Sequence, residues 1–276
     1  SIMLEFFQYT FLNNALIIGV LSGITCGIIG SFIVIKKISF ISGSIAHASF
    51  GGIGLAYFLE LNPALGAIIF SIVSALTIGF VNKKSKTQED ASIGAIWAIG
   101  MALGLIFIYF TPGYAADLMT YLFGNILLNT SQDIFYILIL NLFIIISVAI
   151  LFKWLVAMIF DEEFALITNI KVFPLYLFLL VLIALSVVIL IRSVGVILVI
   201  ALLTLPASSA QLLSNRFRNI IYWAIFLAVF SNLTGILISY YINVPSGPII
   251  IFAAAALYSI IHLLKNISKK IPRATI

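Results

Sequence analysis

The chain has 276 residues, of which 63% are hydrophobic and only 8% are charged, and its formal net charge is +5. A soluble domain carries about a quarter charged residues. It needs them because polar groups must cover its water-facing surface. So few charges exclude a soluble globular domain and indicate an integral membrane protein. Cys26 is the only cysteine, so an internal disulfide is also excluded.

Long apolar stretches between charge clusters predict about nine transmembrane helices, with about eight to ten as the range, because crossing the hydrocarbon takes about 20 apolar residues. We therefore expect an all-α, polytopic helical bundle that forms one transmembrane domain over residues 1–276. The second stretch is short and rich in glycine, which favours a broken or tilted helix. The predicted spans are Phe11–Ile35, Ile45–Leu59, Pro63–Val81, Ala91–Phe110, Ile134–Leu155, Val172–Ile191, Val194–Leu213, Ile220–Ile242 and Gly247–Leu264.

Glycines at intervals of four residues predict close contacts between helices. Gly19, Gly23 and Gly27 recur in the first span, and Gly100 and Gly104 in the fourth. Small residues let helix backbones approach closely in lipid, so packing alone explains this spacing.

The basic residues fall in every second connection between the predicted spans, and only Arg192 departs from this alternation. Cytoplasmic loops carry an excess of lysine and arginine. We therefore expect the N-terminus outside and the C-terminus in the cytoplasm. The basic residues on the predicted cytoplasmic side are Lys36, Lys37, Lys83, Lys84, Lys86, Lys153, Lys171, Arg216, Arg218, Lys265, Lys269, Lys270 and Arg273.

The predicted outer connections are neutral or acidic and rich in proline and glycine. One of them, from Thr111 to Asp133, is too long for a simple turn. We expect its segment Asp117–Gly124 to form a short helix at the outer leaflet.

His47 is the only residue between Lys37 and Glu60 that titrates near neutral pH. Ionisable groups at membrane depth are costly, so they tend to face a protein interior or a water path. Neutral imidazole is also the commonest side-chain metal ligand. Two interpretations stay open: a transient, pore-lining metal site, or a histidine satisfied by neighbouring serines or backbone. One histidine cannot form a tight site, but a transported ion must also leave.

Four further residues are candidates for the pore or its gate. Ser44 precedes His47 on the same stretch. Near the end of another span, Pro206 frees a backbone carbonyl that Ser208 and Ser209 can satisfy. This structural role is favoured over a serine nucleophile, because no base accompanies these serines and no Gly-x-Ser-x-Gly motif is present.

The densest acidic cluster lies in the longest polar break on the predicted cytoplasmic side. Asp161 can cap a short helix whose first turn carries two glutamates. Apolar side chains on one face would then suit a partner protein. The alternative is a helix lying on the bilayer, but acidic charge opposes contact with the negative inner leaflet. The predicted docking residues are Asp161, Glu162, Glu163, Phe164, Ala165 and Ile167.

Five short motifs occur in order over nearly the whole chain. They are Ser39-Phe40 with Ile45-Ala46-His47-Ala48, Asp90-Ala91-Ser92-Ile93-Gly94, the segment Asp117–Gly124, Pro206-Ala207 with Ala210, and Pro245-Ser246-Gly247-Pro248. Together they resemble the permease subunit of bacterial and archaeal ABC importers for zinc, manganese or iron, the ABC-3 family.

The resemblance implies a permease of the cytoplasmic membrane that forms its path with a second copy of itself. It also implies separate cytoplasmic ATP-binding subunits and an extracytoplasmic metal-binding protein, with the divalent metal as substrate and no permanently bound cofactor. The chain has no Gly-x-x-x-x-Gly-Lys-Ser/Thr motif, so ATP hydrolysis is expected elsewhere. No nucleic-acid partner is expected.

In this resemblance His47 matches the pore histidine of the family, and the acidic cluster matches its docking helix. The family's aspartate, four residues before the histidine, is replaced by Gly43. Two alternatives remain at this point: an ABC permease for a metal chelate, and a secondary ion-coupled carrier.

Overall fold

In a computed structural model, the described residues 10–84, 89–111, 122–124 and 126–270 form ten α-helices and no strand. The all-α prediction is confirmed. Two single 3-10 turns cover Ile126–Leu128 and Val196–Leu198. The helices are α1 (Thr10–Lys36), α2 (Ser39–Phe58), α3 (Pro63–Lys84), α4 (Glu89–Phe110), α5 (Ser131–Phe160), α6 (Glu162–Ile167), α7 (Val172–Val194), α8 (Val199–Leu213), α9 (Phe217–Ile242) and α10 (Ser246–Lys270).

Within the described residues, eight helices are long and apolar enough to cross a membrane, counting α8 together with its preceding 3-10 turn. The remaining predicted span, Ile45–Leu59, corresponds to α2, whose 20 residues reach about 30 Å. Serines, glycines and His47 lower its mean hydropathy, and most of it is buried among other helices. It begins at Ser39 rather than Ile45 and is continuous, so of the two expected forms, a broken or a tilted helix, the broken one is wrong.

The predicted basic connections meet at one end of the bundle, called here the basic end. Lys36 at the end of α1 lies 3.0 Å from the Glu162 carboxylate of α6. Phe32, also near the end of α1, packs edge-on against Phe217 at the start of α9. Further contacts at this end join Lys83 to Phe173, Phe160 to Phe217, and Lys265 to the Leu212 carbonyl.

The starts of α1, α5 and α10 meet at the opposite end. The Asn14 side chain donates to the Asn129 carbonyl, and the Ile126 amide donates to the Ser246 hydroxyl. Gly124 and Gly195 both have positive φ angles, at 69° and 79°. A Cβ on Gly124 would lie 2.3 Å from the Gly195 nitrogen, so only glycine fits this crossing. Most of the predicted short helix, residues 117–121, lies outside the described residues.

Helix α1 is held between α9 and α5 by buried asparagines. The Asn232 amide donates to the Gly19 carbonyl at 2.7 Å, and the Asn141 amide donates to the Leu21 carbonyl at 2.5 Å. Such hydrogen bonds join helices in lipid, where burial of apolar area supplies little attraction.

The predicted glycine contacts are confirmed. A Cβ on Gly27 would lie 2.3 Å from the Ile225 nitrogen of α9, and one on Gly100 would lie 2.3 Å from the Ala48 Cα of α2. These glycines therefore bring α1 against α9 and α4 against α2 with almost no space between the backbones.

Candidate functional site

His47 lies in α2, which packs most closely against α3 and α4, and only 7% of its surface is exposed. Its imidazole stacks on the Trp97 indole, with ring centroids 4.2 Å apart and planes inclined by 13°. Its Nδ1 lies 3.3 Å from the Met101 sulfur. Trp97 and Met101 are one helical turn apart on α4, so a single face of that helix holds the ring.

The Met101 contact favours one tautomer of the His47 imidazole. A thioether sulfur carries no proton, so the contact is a hydrogen bond only when Nδ1 of His47 is protonated and donates. That tautomer leaves a lone pair on Nε2. Among the residues that the structure describes, Nε2 has no hydrogen-bond partner. A metal-binding histidine typically has its other N–H held in this way.

Gly43 lies one turn before His47 on α2, and its missing side chain leaves room for a residue of α8. A Cβ at Gly43 would lie 2.1 Å from the Ile200 Cδ1 and 3.5 Å from the Trp97 ring. An apolar isoleucine therefore fills the space into which a longer side chain at this position would project.

The predicted gate residues lie on two helices, with Ser44 on α2 close to His47 in sequence and the other three on α8. The Ser44 hydroxyl is fully buried and donates to the Ile93 carbonyl of α4 at 2.8 Å, which joins two helices. The Ser209 hydroxyl donates to the Leu205 carbonyl within α8.

Pro206 and Ser208 lie on the same part of α8, whose alanines pack against α9 and the end of α1. Over the described part of the chain, no hydrogen bond or ring contact joins Pro206, Ser208 or Ser209 to His47. The packing of this part of α8 places the three residues near the basic end.

Helix α6 forms where the acidic cluster predicts it. Asp161 caps it by accepting a hydrogen bond from the Phe164 amide at 2.9 Å, as expected for an N-cap aspartate. Phe164 and Ile167 are 55% and 79% exposed, and the intervening Leu166 is also exposed. Glu163 is exposed as well.

Ala165 is the exception within this helix, because it is completely buried against the rest of the chain. It anchors α6 on the bundle, so the surface that this helix offers comes from its exposed residues. Glu162 contributes to the same anchoring through its ion pair with Lys36.

No group of three or more histidine, cysteine, aspartate or glutamate side chains is arranged to hold a metal ion within the described ranges. His47 is thus a single nitrogen donor in an apolar, aromatic and thioether environment. Such a position suits an ion that passes and leaves more than one that stays.

The ABC 3 transport family matches residues 8–265, which is nearly the whole sequence. The chain belongs to this family. The resemblance drawn from its five short motifs is thereby confirmed.

Three relatives of this ABC 3 family member align with it over most of their own length and most of its length. The probable metal transport system membrane protein of Chlamydia trachomatis is 40% identical over 89% of this chain and 86% of its own. The manganese transport system membrane protein MntC of Listeria monocytogenes is 37% identical over 93% and 91%. The solved structure of PsaBC from Streptococcus pneumoniae in complex with Fab superposes with a TM-score of 0.85, at 32% identity, over 94% and 95%.

Sequence reasoning found His47 within this ABC 3 chain but missed Trp97, Met101 and Ile200. The spacing of four between Trp97 and Met101 was visible and predicts that both lie on one helix face. Nothing in the sequence indicated which helix that face would contact.

Proposed function

We propose that this chain is the permease subunit of an ATP-driven importer for divalent transition metal ions, with manganese as the first candidate, ahead of zinc and iron. His47 carries the proposal: it is a lone nitrogen donor at membrane depth in a chain whose relatives are named for metal or manganese transport. Its Nε2 would contact the ion briefly, and Met101 and Trp97 would hold the ring in place.

The remaining subunits are part of the same proposal. The basic end would face the cytoplasm, where separate ATP-binding subunits would dock on α6. The opposite end would receive the ion from an extracytoplasmic metal-binding protein. A second permease copy would complete the path, since the described residues hold no group of three or more histidine, cysteine, aspartate or glutamate side chains that could bind an ion. Alternating access would open the path to each side in turn.

The test is uptake of radioactive manganese, at limiting concentration, by cells that express the assembled transporter with either wild-type chain or a variant. We expect His47→Ala to lower uptake by about 10- to 100-fold, as loss of a ligand or of its support does at metal sites. Met101→Leu keeps the volume but removes the sulfur acceptor, so we expect a smaller fall in the same direction.

The control is His262→Ala, which removes the other histidine at an exposed position of α10. Co-purified ATP-binding subunit and unchanged ATPase activity would show that each variant is assembled. Normal uptake by assembled His47→Ala would remove His47 from the path. A wild-type complex that moves no divalent metal would overturn the function itself.

A further inference from the structure

A cavity of about 620 Å³ lies between α5 and α9 at the basic end. Its apolar wall is formed by Phe152 and the buried Phe217, whose rings stack with centroids 6.1 Å apart. Three cationic side chains, Lys153, Arg216 and Arg218, line the same cavity. The Arg218 guanidinium lies 5.5 Å above the Phe152 ring, a cation–π contact that holds it over the opening.

The cavity carries positive charge with no carboxylate among its lining residues. Lys153, Arg216 and Arg218 are exposed, and no ion pair engages any of them in the described portion of the protein. The 26-residue helix α9 also begins here, and no side chain caps its first turn. The free N–H groups of that turn add positive potential to that of the three side chains.

The aromatic residues that follow along α9 point to the membrane as the source of the ligand. Tyr222, Trp223 and Phe226 are 70%, 44% and 57% exposed, and a smaller cavity of about 320 Å³ lies beside Asn219, which also lines the basic cavity. Exposed tryptophan and tyrosine are typical of the headgroup level of a bilayer. A polar, cationic cavity thus continues into a lipid-facing apolar strip.

We propose that this cavity binds the headgroup phosphate of an anionic phospholipid, with an acyl chain lying along Tyr222, Trp223 and Phe226. Basic cavities between transmembrane helices on the cytoplasmic side bind such headgroups in other membrane proteins. A soluble phosphate would use the cations but not the strip. A docked protein would contact the three cationic side chains, but it would not contact the aromatic residues that face the lipid.

The test is binding of phosphatidylglycerol, relative to phosphatidylcholine, to the purified chain, measured by native mass spectrometry and by lipid-dependent thermal shift. The double variant Arg216→Gln with Arg218→Gln should bind phosphatidylglycerol about 30-fold more weakly, since each cation contributes about 1 kcal/mol near an anionic lipid surface. Arg216→Lys with Arg218→Lys should retain most of the binding.

The matched control is Lys37→Gln with Lys171→Gln, which removes two exposed charges at the same end but outside this cavity. An equal loss of phosphatidylglycerol binding in both double variants would overturn the proposed site. It would show instead that the lipid is attracted non-specifically by the positive charge of the basic end. Competition by inorganic phosphate as effective as that of the lipid would also overturn it. If Arg216→Gln with Arg218→Gln leaves lipid binding unchanged but abolishes co-purification of the ATP-binding subunit, the cavity is a protein contact and the proposal is overturned.

Discussion

Gly43 is the residue whose role is explained most directly by its neighbours. Ile200 of α8 occupies the space beside it, and a Cβ there would lie 2.1 Å from the isoleucine methyl. We expect Gly43→Ala to destabilise the chain by about 1–3 kcal/mol, because overpacking a filled core has that cost. Ile200→Ala should restore part of this loss in the double variant, since the two changes relieve each other.

The matched control for this prediction is Gly94→Ala on α4, where an added Cβ would meet nothing within 4 Å. That change should be neutral or slightly stabilising, because alanine favours a helix over glycine by about 1 kcal/mol. Both effects on stability are measured by heating the detergent-solubilised protein and recording how much of the monodisperse peak remains in size-exclusion chromatography. Equal thermal stability of Gly43→Ala and Gly94→Ala would contradict the prediction, because it would show that the Ile200 side chain can shift to accommodate the added methyl group.

Single residues also show where sequence reasoning ends. His47 was found because an ionisable group in an apolar run is rare and costly. Met101 and Trp97 are ordinary members of an apolar helix, and only tertiary packing brings them to the imidazole. Ile200 is 157 positions after Gly43. No local pattern encodes contacts between such distant residues.

At the level of elements, hydropathy located the long helices well and their ends less well. Helix α2 begins six residues before its predicted start, because serine and glycine at membrane depth lower the hydropathy without ending the helix. Its polar atoms are satisfied inside the bundle, as the Ser44 hydroxyl is by the Ile93 carbonyl. Burial of this kind is a tertiary property, which a one-dimensional profile does not contain.

Helix α6 is the element whose exposed surface has no role within the chain. Phe164 and Ile167 are largely exposed at the basic end, and Glu163 is exposed beside them. We expect Phe164→Ser with Ile167→Ser to lower co-purification of the ATP-binding subunit by about tenfold, because buried aromatic anchors dominate interfaces. Glu163→Lys should weaken it further by changing the sign of a charge at its edge.

The control for α6 is Val244→Ser, which removes an exposed apolar side chain at the opposite end. Glu162→Lys is less informative, because it also breaks the ion pair with Lys36. Unaltered co-purification and coupled ATPase activity in the α6 double variant would place the docking surface elsewhere.

At the scale of the whole molecule, the two ends of the bundle differ in charge, and this difference predicts its orientation. Helix α1 begins at the opposite end and α10 finishes at the basic end, where Lys265 caps the Leu212 carbonyl. The positive-inside rule then predicts that the basic end lies in the cytoplasm and the start of α1 outside.

Cysteine labelling tests this orientation. Cys26 is buried and the only native thiol, so a Cys26→Ala background leaves a single introduced cysteine to react. Leu61→Cys, at an exposed turn of the opposite end, should react with a membrane-impermeant maleimide in intact spheroplasts. Ile167→Cys, exposed on α6, should react only after permeabilisation. The reverse labelling pattern would show the opposite membrane orientation. Helix α6 would then lie outside the cell, where ATP-binding subunits could not reach it.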